Sequence, residues 1–298
     1  MKGARALLVG LALLAGCASD PEQASAPASP APESAGPPEP LQGEFDVLTY
    51  NVAGLPGPVA RTDPERCMPL ISPKLAPYDL VLVQEDFVYH QELRAQVPHA
   101  FLSEPGDNAG ALVNDGLNRY SSFAFDALER VRWVECHGFR DHASDCLATK
   151  GFSRAAHELA PGVSVQVYNH HAEAGGSDAD EAAWEAGFRQ LAEHILGLGE
   201  DVPLLVAGDM NLHGDQALDL AVLDELYART GLRDACSELG CSDPRRIDRV
   251  LLRSSSRVRL EPLAWWLPPD FVDEQGGRLS DHRAVAVRVR WTLLPDRG

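Results

Sequence analysis

Several apolar segments of this sequence are followed directly by side chains that can bind a cation or move a proton. Asn51 follows the first such segment, and Glu85 follows the second. The same arrangement recurs at Asn169-His170-His171 and at Gly208-Asp209-Met210-Asn211, and Ser280-Asp281-His282 directly precedes the last apolar segment. Carboxylates and amides suit a hard divalent cation such as Mg²⁺, and a neutral imidazole can take a proton from water. Together, such groups could neutralise phosphoryl charge and activate water, which is the chemistry of phosphoester hydrolysis.

Asp, Asn and Gly are also ordinary turn residues, so any one of these clusters alone predicts a turn. Five clusters at strand ends in one chain are harder to attribute to turns. Polar groups at the same end of neighbouring strands converge on one edge of an open α/β sheet, where such sheets place their active sites. We therefore expect the five clusters to share one cavity.

Asp281 and His282 are the natural acid–base pair of this set. A carboxylate bonded to one imidazole nitrogen fixes the tautomer of the ring. A carboxylate elsewhere in the chain could orient His282 instead, and Asp281 would then contact metal or water. The sequence has no Cys/His spacing typical of zinc sites, no Gly-rich phosphate loop and no Gly-x-Ser-x-Gly elbow.

Strands and helices that alternate along the chain must position these clusters. The segments predicted as strands are 45–50, 79–84, 118–125, 163–168, 204–207, 247–252 and 284–291. An apolar stripe at helical spacing predicts a helix with one buried face, formed by Trp184, Phe188, Leu191, Ile195 and Leu198. Residues 218–227 predict a second helix. The pattern indicates an α/β domain of two or more layers.

Taken in order, the five clusters resemble the motifs of the endonuclease/exonuclease/phosphatase superfamily. The matching segments are Thr49-Tyr50-Asn51, Gln84-Glu85, Asn169-His170-His171, Gly208-Asp209-Met210-Asn211 and Ser280-Asp281-His282. This superfamily includes deoxyribonuclease I, abasic-site endonucleases, neutral sphingomyelinases and inositol polyphosphate 5-phosphatases. The resemblance runs from about Phe45 to Val289. It implies a four-layered α/β sandwich in which two packed mixed sheets are flanked by helices.

The resemblance also implies a role for each matching residue. Asn51 and Glu85 would hold the catalytic cation, which would be Mg²⁺, with Mn²⁺ or another divalent ion as alternatives. His171 would bind a phosphoryl oxygen and stabilise charge in the transition state. His170 stands where the superfamily usually has Thr or Leu, so either histidine could be the functional one.

The remaining motifs would orient the attacking water and accept its proton. Asp209 would orient or deprotonate the attacking water, with Asn211 beside it on the phosphate. His282 would be the general base or a phosphate ligand, with Asp281 as its partner. Asp248 matches a common aspartate before a strand, for which we expect a structural role.

Three further residues are candidates for contact with the substrate: Arg119, Lys150 and Asn169. Lys150 is one of only three lysines in a chain that otherwise uses arginine. Lys150-Gly151 and Asp115-Gly116-Leu117 resemble segments of sphingomyelinases. The resemblance thus implies a sphingomyelin-like lipid or another small phosphodiester as substrate, and we expect a monomeric enzyme.

Trp265 and Trp266 are adjacent, and exposed tryptophans favour a membrane interface, although one of them could equally lie in the core. A phospholipid headgroup would need no basic groove. Two alternatives remain. A secreted nuclease would need a local groove of arginines, for which the candidates are Arg119, Arg140, Arg154, Arg245, Arg246 and Arg249. A non-catalytic surface lipoprotein would keep the fold for binding alone.

The charge and composition of the chain bear on this choice. The formal net charge is −18 at pH 7, and an acidic protein does not attract polyanions over long distances. The proportions of hydrophobic and charged residues, 45% and 23%, are those of an ordinary globular domain. These values weaken the nuclease alternative without excluding a local basic groove.

The first residues predict export. Lys2 and Arg5 precede the apolar run from Leu7 to Leu14, which is too short to cross a bilayer as a helix. Leu14-Ala15-Gly16-Cys17 resembles the bacterial lipobox, which implies a lipid on Cys17 that anchors the protein to a membrane. Ala18 after the cysteine implies the outer membrane. Plain cleavage of a signal peptide near Cys17 is the alternative.

Composition also predicts the domain boundaries. Residues 1–17 are the predicted signal peptide. Residues 18–42 are predicted to be a disordered Pro-, Ala- and Ser-rich tether, because such a segment cannot bury enough apolar surface to offset its ordering entropy. Residues 43–292 are the predicted catalytic domain, and residues 293–298 are a tail.

Five cysteines follow Cys17. Export implies an oxidising compartment, in which disulfides persist. Pairs that are close in sequence predict the bridges Cys136–Cys146 and Cys236–Cys241, which would leave Cys67 unpaired. Five buried thiols are the alternative.

Overall fold

A computed structural model of the chain describes residues 41–57, 60–108, 111–137, 146, 148–175 and 177–296. The predicted signal peptide, Cys17 and nearly all of the predicted tether lie outside these residues, as do Arg140 and the last two residues of the predicted tail. Within the described part, no helix combines the length and apolar character that crossing a bilayer requires.

Twelve strands and five helices form the described part of the chain. The strands are β1 (Gln42–Asn51), β2 (Leu80–Gln84), β3 (Phe101–Leu102), β4 (Asn118–Ser121), β5 (Glu129–Arg132), β6 (Gly151–Ala160), β7 (Val163–His171), β8 (Leu204–Asp209), β9 (Arg233–Asp234), β10 (Asp248–Arg253), β11 (Val258–Trp266) and β12 (Val285–Leu293). The helices are α1 (Pro64–Ile71), α2 (His90–Arg94), α3 (Asp178–Gly197), α4 (Ala217–Thr230) and α5 (Ala235–Glu238), with a 3₁₀ helix at Ser72–Leu75.

The strands form two six-stranded sheets. The first has the order β11-β12-β1-β2-β4-β3, and the second has the order β5-β6-β7-β8-β10-β9. Each sheet has a central parallel pair, β1 with β2 and β7 with β8, whose outer neighbours run antiparallel. Both sheets are therefore mixed, as the resemblance implied.

One apolar layer fills the space between the two sheets. Alternate residues of the central strands supply it, including Val47, Leu82, Val167 and Leu205. Toward the carboxyl ends of the same strands, the alternation continues with buried polar residues: Thr49, Asn51, Asn169, His171 and Asp209. The two-residue period thus leads the inner face of each sheet from an apolar core to a polar end.

Helices cover the outer faces of both sheets. α1 packs on the first sheet through Met68 and Ile71, and α3 and α4 pack on the second. The helix predicted from the Trp184 stripe is confirmed as α3. It begins at a capping box in which the side chains of Ser177 and Asp180 each accept from the other residue's backbone N–H. The helix–sheet–sheet–helix order confirms the predicted four-layered sandwich.

Some strands differ from the predicted ones. β3, β5, β6, β9 and β11 were not predicted. β6 has few of the β-branched residues that signal a strand, and it forms because β5 and β7 pair with its two edges. The predicted strand 118–125 ends at Ser121, because the Ser121 hydroxyl bonds to the backbone of Phe123 and supports a turn.

Both predicted disulfides are present, Cys136–Cys146 and Cys236–Cys241. The first joins residues on the connection between β5 and β6, and the second closes the turn that follows α5. Cys67 is buried and has no disulfide partner within the described ranges. The bridges therefore connect segments that lie outside the sheets.

Candidate active site

The carboxyl ends of β1, β2, β7 and β8 bring four predicted residues into contact. The amide Nδ2 of Asn51 lies 3.1 Å from Oε1 of Glu85 and 3.1 Å from Oδ2 of Asp209. Nε2 of His171 lies 3.6 Å from the same Asp209 oxygen and 3.8 Å from the same Glu85 oxygen. Two residues of the first sheet and two of the second therefore meet at one point.

His282 joins this group from the loop before β12. Its Nε2 lies 3.6 Å from Oδ2 of Asp209, and its Nδ1 donates to Oδ2 of Asp248 at 2.9 Å. Asp248 begins β10 and is the register partner of Asp209 on β8. The Ser280 hydroxyl fixes the loop, because it donates to the Asn51 carbonyl at 2.7 Å and accepts from the His282 N–H at 3.1 Å.

Lys150 and Asn211 flank the group beside the end of β7. Nζ of Lys150 and Nδ2 of Asn211 both donate to the carbonyl of Ala172, at 3.3 Å and 3.2 Å. The backbone N–H of Asn211 donates to Oδ1 of Asp209 at 3.0 Å. This contact leaves Oδ2 as the Asp209 oxygen that faces Asn51 and the two histidines.

Strained backbone is concentrated at this site. Among the described residues, three that are not glycine have a positive φ, and all three border the site: Ala53 (52°), Glu85 (58°) and Asn211 (49°). A Cβ on Gly116 would lie 2.9 Å from Cα of Glu85, so the turn at Glu85 needs a glycine beside it. Strain of this kind persists where the surroundings hold it, and it is common at functional sites.

Burial and neighbouring charges set the protonation of these groups. Burial raises the pKa of Glu85, against the opposing effect of the Lys150 ammonium. Burial acts in the same direction on Asp209, but the charge of His282 is the largest of several opposing effects, and together they lower the pKa of Asp209. Burial lowers the pKa of His171 well below its ordinary value. At His282 the Asp248 and Asp209 carboxylates outweigh burial and raise the pKa, so a neutral His171 and a charged His282 face one carboxylate.

His171, and not His170, is the histidine of this group, because successive residues of a strand face opposite sides of the sheet. His170 lies on the helix side of the second sheet, where its ring centroid is 5.2 Å from those of Trp133 and Phe188. Burial lowers the pKa of His170 to about 4. It is therefore a neutral core residue.

Two candidates for substrate contact lie in the interior instead. Arg119 is fully buried between the sheets, where it donates to the Val167 carbonyl at 3.2 Å and to the Ser153 carbonyl at 3.0 Å. Asn169 is also fully buried, one inward-facing position before His171, and it accepts from Gln84. Neither side chain reaches the open edge, because both alternate into the space between the sheets.

The partner of His282 also differs from the predicted one. Asp281 is exposed, and its Oδ1 contacts the Ser280 hydroxyl at 3.4 Å. Asp248, for which we expected a structural role, is the carboxylate that bonds to His282. The alternative in which a distant carboxylate orients His282 is therefore the one that the structure shows.

Trp265 and Trp266 do not form an exposed pair. They lie on β11 and face opposite sides of the first sheet. Trp265 packs against the core between the sheets, and Trp266 stacks on Tyr78 with ring centroids 6.5 Å apart. Both side chains are half-buried, so this motif contributes to packing.

Sequence comparison identifies curated relatives but no family model. No family model matches the chain. Sphingomyelinases of Mycobacterium bovis and Mycobacterium tuberculosis are 30% identical to it over 273 residues. The match covers 84% of this chain and 54% of each relative, so the chain spans about half the length of these proteins.

Solved structures share the fold. A beta toxin variant from Staphylococcus aureus with bound magnesium ions has a TM-score of 0.61 at 13% identity, covering 82% of this chain and 99% of that one. D. rerio TDP2 complexed with a single strand DNA product has a TM-score of 0.61 at 18% identity, with coverages of 83% and 98%. An endonuclease/exonuclease/phosphatase from Beutenbergia cavernae has a TM-score of 0.59 at 17% identity, with coverages of 83% and 71%. These structures show the fold; together with the ordered motifs and the mycobacterial relatives, they support the resemblance of the chain to the endonuclease/exonuclease/phosphatase superfamily.

Proposed function

We propose that this chain is a Mg²⁺-dependent phosphodiesterase that acts on a lipid or other small phosphodiester, with sphingomyelin as the first candidate. The observation that carries the proposal is the meeting of five predicted residues from both sheets at one point: Asn51, Glu85, His171, Asp209 and His282. The mycobacterial relatives, which are named as sphingomyelinases, support the choice of substrate.

The donor set around Asn51 suits a hard divalent cation. The carboxylates of Glu85 and Asp209 converge on its amide group, whose Oδ1 accepts from the Ala53 N–H at 3.0 Å. A 180° turn of the amide would present Oδ1 to the carboxylates at the expense of this bond. The carboxylate of Glu85 and one amide oxygen leave room for water and a substrate phosphate, as Mg²⁺ prefers. We assign Asn51 and Glu85 as ligands; once bound, the cation would neutralise charge on the phosphoryl group.

A second set of possible ligands lies beside the first. Asp209, Asp248 and His282 offer ligand atoms within 4.8 Å of one another. A metal would have to displace the proton from His282, and the two carboxylates raise the pKa of that imidazole. We therefore assign the primary cation to the Glu85 side of Asp209.

Three side chains would act on the phosphate and the water. His171 is neutral, so its Nε2–H can donate one hydrogen bond to a phosphoryl oxygen. His282, charged and held by Asp248, would stabilise the negative charge that develops on the phosphoryl oxygens. Asp209 keeps an ionised carboxylate because its pKa is lowered, and it would orient or deprotonate the attacking water. Lys150 would add a positive charge beside β7.

The predicted arginine groove of a nuclease is weakly supported within the described ranges. Arg119 and Arg249 are buried. The other described candidates are Arg154, which bonds to Glu129, Arg246, which bonds to Asp234, and Arg245, which is exposed. The fold does accommodate DNA in D. rerio TDP2, so nucleic acid belongs among the substrates to be tested.

We also propose that the protein is exported as a monomer and held at the outer membrane by a lipid on Cys17. The lipobox-like segment before Cys17 supports this location. Metabolic labelling with a radioactive fatty acid should mark the wild-type protein, and Cys17→Ser should abolish the label and release the protein from membranes. A labelled Cys17→Ser protein would refute the anchor.

A hydrolysis assay tests the activity. The purified protein is incubated with Mg²⁺ or Mn²⁺ and with sphingomyelin vesicles, bis(p-nitrophenyl) phosphate or plasmid DNA. We expect headgroup release from sphingomyelin, loss of activity in EDTA and its return with added Mg²⁺. His282→Ala should lower kcat by at least about 100-fold, because it removes a charge that stabilises the transition state.

Each other outcome has a defined meaning. Cleavage of DNA without hydrolysis of sphingomyelin would replace the lipid with nucleic acid as the substrate. Activity that survives His282→Ala would refute the site assignment. A folded protein that hydrolyses none of the three substrates would favour the non-catalytic lipoprotein.

A further inference from the structure

Three uncharged polar residues occupy the space between the sheets directly below the active site. Thr49 on β1, Gln84 on β2 and Asn169 on β7 are all fully buried. Each lies on a strand whose preceding inward-facing residue is apolar, namely Val47, Leu82 or Val167. Buried amides are costly unless they are hydrogen-bonded, so their partners show what they contribute.

Gln84 and Asn169 bond to each other across the two sheets. Nε2 of Gln84 donates to Oδ1 of Asn169 at 2.7 Å and lies 3.1 Å from the Thr49 hydroxyl. Nδ2 of Asn169 donates to the carbonyls of Val83 and Asn118, at 2.9 Å and 3.0 Å. One strand of the second sheet, β7, is therefore bonded to two strands of the first, β2 and β4.

This bond lies close to the metal-ligand region on both sides. Gln84 immediately precedes Glu85 and is the register partner of Asn51. Asn169 comes two residues before His171, whose register partner is Asp209. The carbonyls of Gln84 and Glu85 also accept the N–H groups of Val52 and Gly54, each at 3.0 Å. A shift of Gln84 relative to Asn169 would therefore move Glu85 relative to His171 and Asp209.

We propose that Gln84 and Asn169 are positioning residues whose bond sets the distance between Glu85 on the first sheet and the His171–Asp209 pair on the second. Apolar packing is non-directional, whereas a hydrogen bond fixes both a distance and an angle. A metal site tolerates errors of only about 0.5 Å in its ligands. The inference rests on the proposed metal-dependent hydrolysis.

The test compares Gln84→Met with a variant that loses a buried hydrogen bond elsewhere. Met keeps the length of the Gln side chain but cannot donate to Asn169. We expect Mn²⁺ affinity to fall about 10- to 100-fold, the usual cost of losing a group that orients metal ligands. The control is Thr230→Val, which removes a 2.6 Å bond to the Leu226 carbonyl within α4. It should lower Tm and leave Mn²⁺ affinity unchanged.

Further readouts separate positioning from stability. Excess Mn²⁺ should restore part of the activity of Gln84→Met, and Thr49→Val, which removes only the hydroxyl contact, should show a smaller loss of affinity in the same direction. Measurement of Mn²⁺ binding by calorimetry well below Tm keeps both proteins folded. If Gln84→Met does not fold, Thr49→Val carries the test.

The results distinguish two failures. Variants at Gln84 and Thr49 that bind Mn²⁺ as tightly as the wild type, and keep its kcat, would overturn the positioning role while leaving the hydrolase intact. A wild-type protein that neither binds Mn²⁺ nor hydrolyses a phosphodiester would overturn the proposed function, and the positioning role with it.

Discussion

The layer between the two sheets has two ends that are built from the same strands but differ in polarity. One end is apolar, and the other carries the polar side chains of the candidate active site. At the end remote from the site, Phe45, Leu80 and Val163 face one another, and each fully buried side chain of this kind contributes about 1.5–3 kcal/mol. At the site end, the same alternation places amides, carboxylates and imidazoles in the same layer. Their burial costs stability, so the apolar end must offset the cost of the polar end that forms the candidate active site.

Two histidines show how strongly this difference acts on one residue type. His157 lies at the remote end on β6 and stacks on Phe125, with ring centroids 5.1 Å apart. Burial, together with the nearby Arg119 charge, lowers its pKa to about 3. His282 is also largely buried, but two carboxylates raise its pKa. Charged neighbours, rather than burial alone, therefore decide which histidine carries a proton.

The largest expected effect is at the site end. Asp248→Asn should lower kcat by at least about 100-fold, because the amide neither fixes the ring of His282 nor stabilises its charge. Asp281→Asn changes the same functional group one residue from His282, and it should leave kcat within about twofold. Steady-state kinetics on a soluble phosphodiester measure both. Equal losses in the two variants would contradict the assignment of Asp248.

A cavity at the apolar end of the layer should lower stability and leave catalytic activity unchanged. Leu205→Ala removes a fully buried side chain from the apolar part of the layer. It should lower the free energy of unfolding by about 3 kcal/mol and leave kcat and Mn²⁺ affinity unchanged. Urea denaturation and a hydrolysis assay at 20 °C measure the two quantities. A matching loss of kcat would mean that the two ends are not separate in function.

The smallest expected effect is a pH dependence of stability from His157. The unfolded state takes up its proton near the ordinary pKa of 6.5, whereas the folded state does so only near pH 3. Between these values the unfolded state binds more protons, so the free energy of unfolding falls as pH falls, by up to about 1.4 kcal/mol per pH unit. His157→Leu should flatten urea-denaturation stability between pH 6 and pH 4. If the free energy of unfolding of His157→Leu depends on pH as steeply as that of the wild type, other groups cause this dependence.

Local pattern in the sequence predicted the strands that carry the candidate site, whereas the sandwich was implied by the resemblance of the ordered motifs to a known superfamily. Apolar runs followed by Asn51, Glu85 and Asp209 placed three residues at strand ends, and the order of the motifs implied the sandwich. The alternation along β7 also accounts for the separation of His170 from His171, although the periodicity alone did not say which of them faces the site.

Pairing between distant strands could not be predicted in this way. Asp248 lies beside His282 only because β10 pairs with β8, which places Asp248 opposite Asp209, 39 residues earlier in the chain. Sequence proximity favoured Asp281 instead. Arg119 and Asn169 were predicted to contact the substrate, but both are fully buried. Their burial depends on polar partners supplied by the facing sheet.

The direction of β1 has a consequence for how the protein can be attached to a surface. β1 begins at Gln42 and β12 ends at Leu293, and both residues lie at the end of the sandwich opposite Asn51. Because ten residues of strand span roughly 30 Å, these two residues are far from the site. A tag or immobilising group attached beside Gln42 or Leu293 would therefore leave the opening of the site unobstructed. For a lipid on Cys17, the 24 residues 18–41 could extend to about 80 Å. Shortening them should reduce turnover of lipid in the anchoring bilayer while sparing turnover of a dissolved substrate.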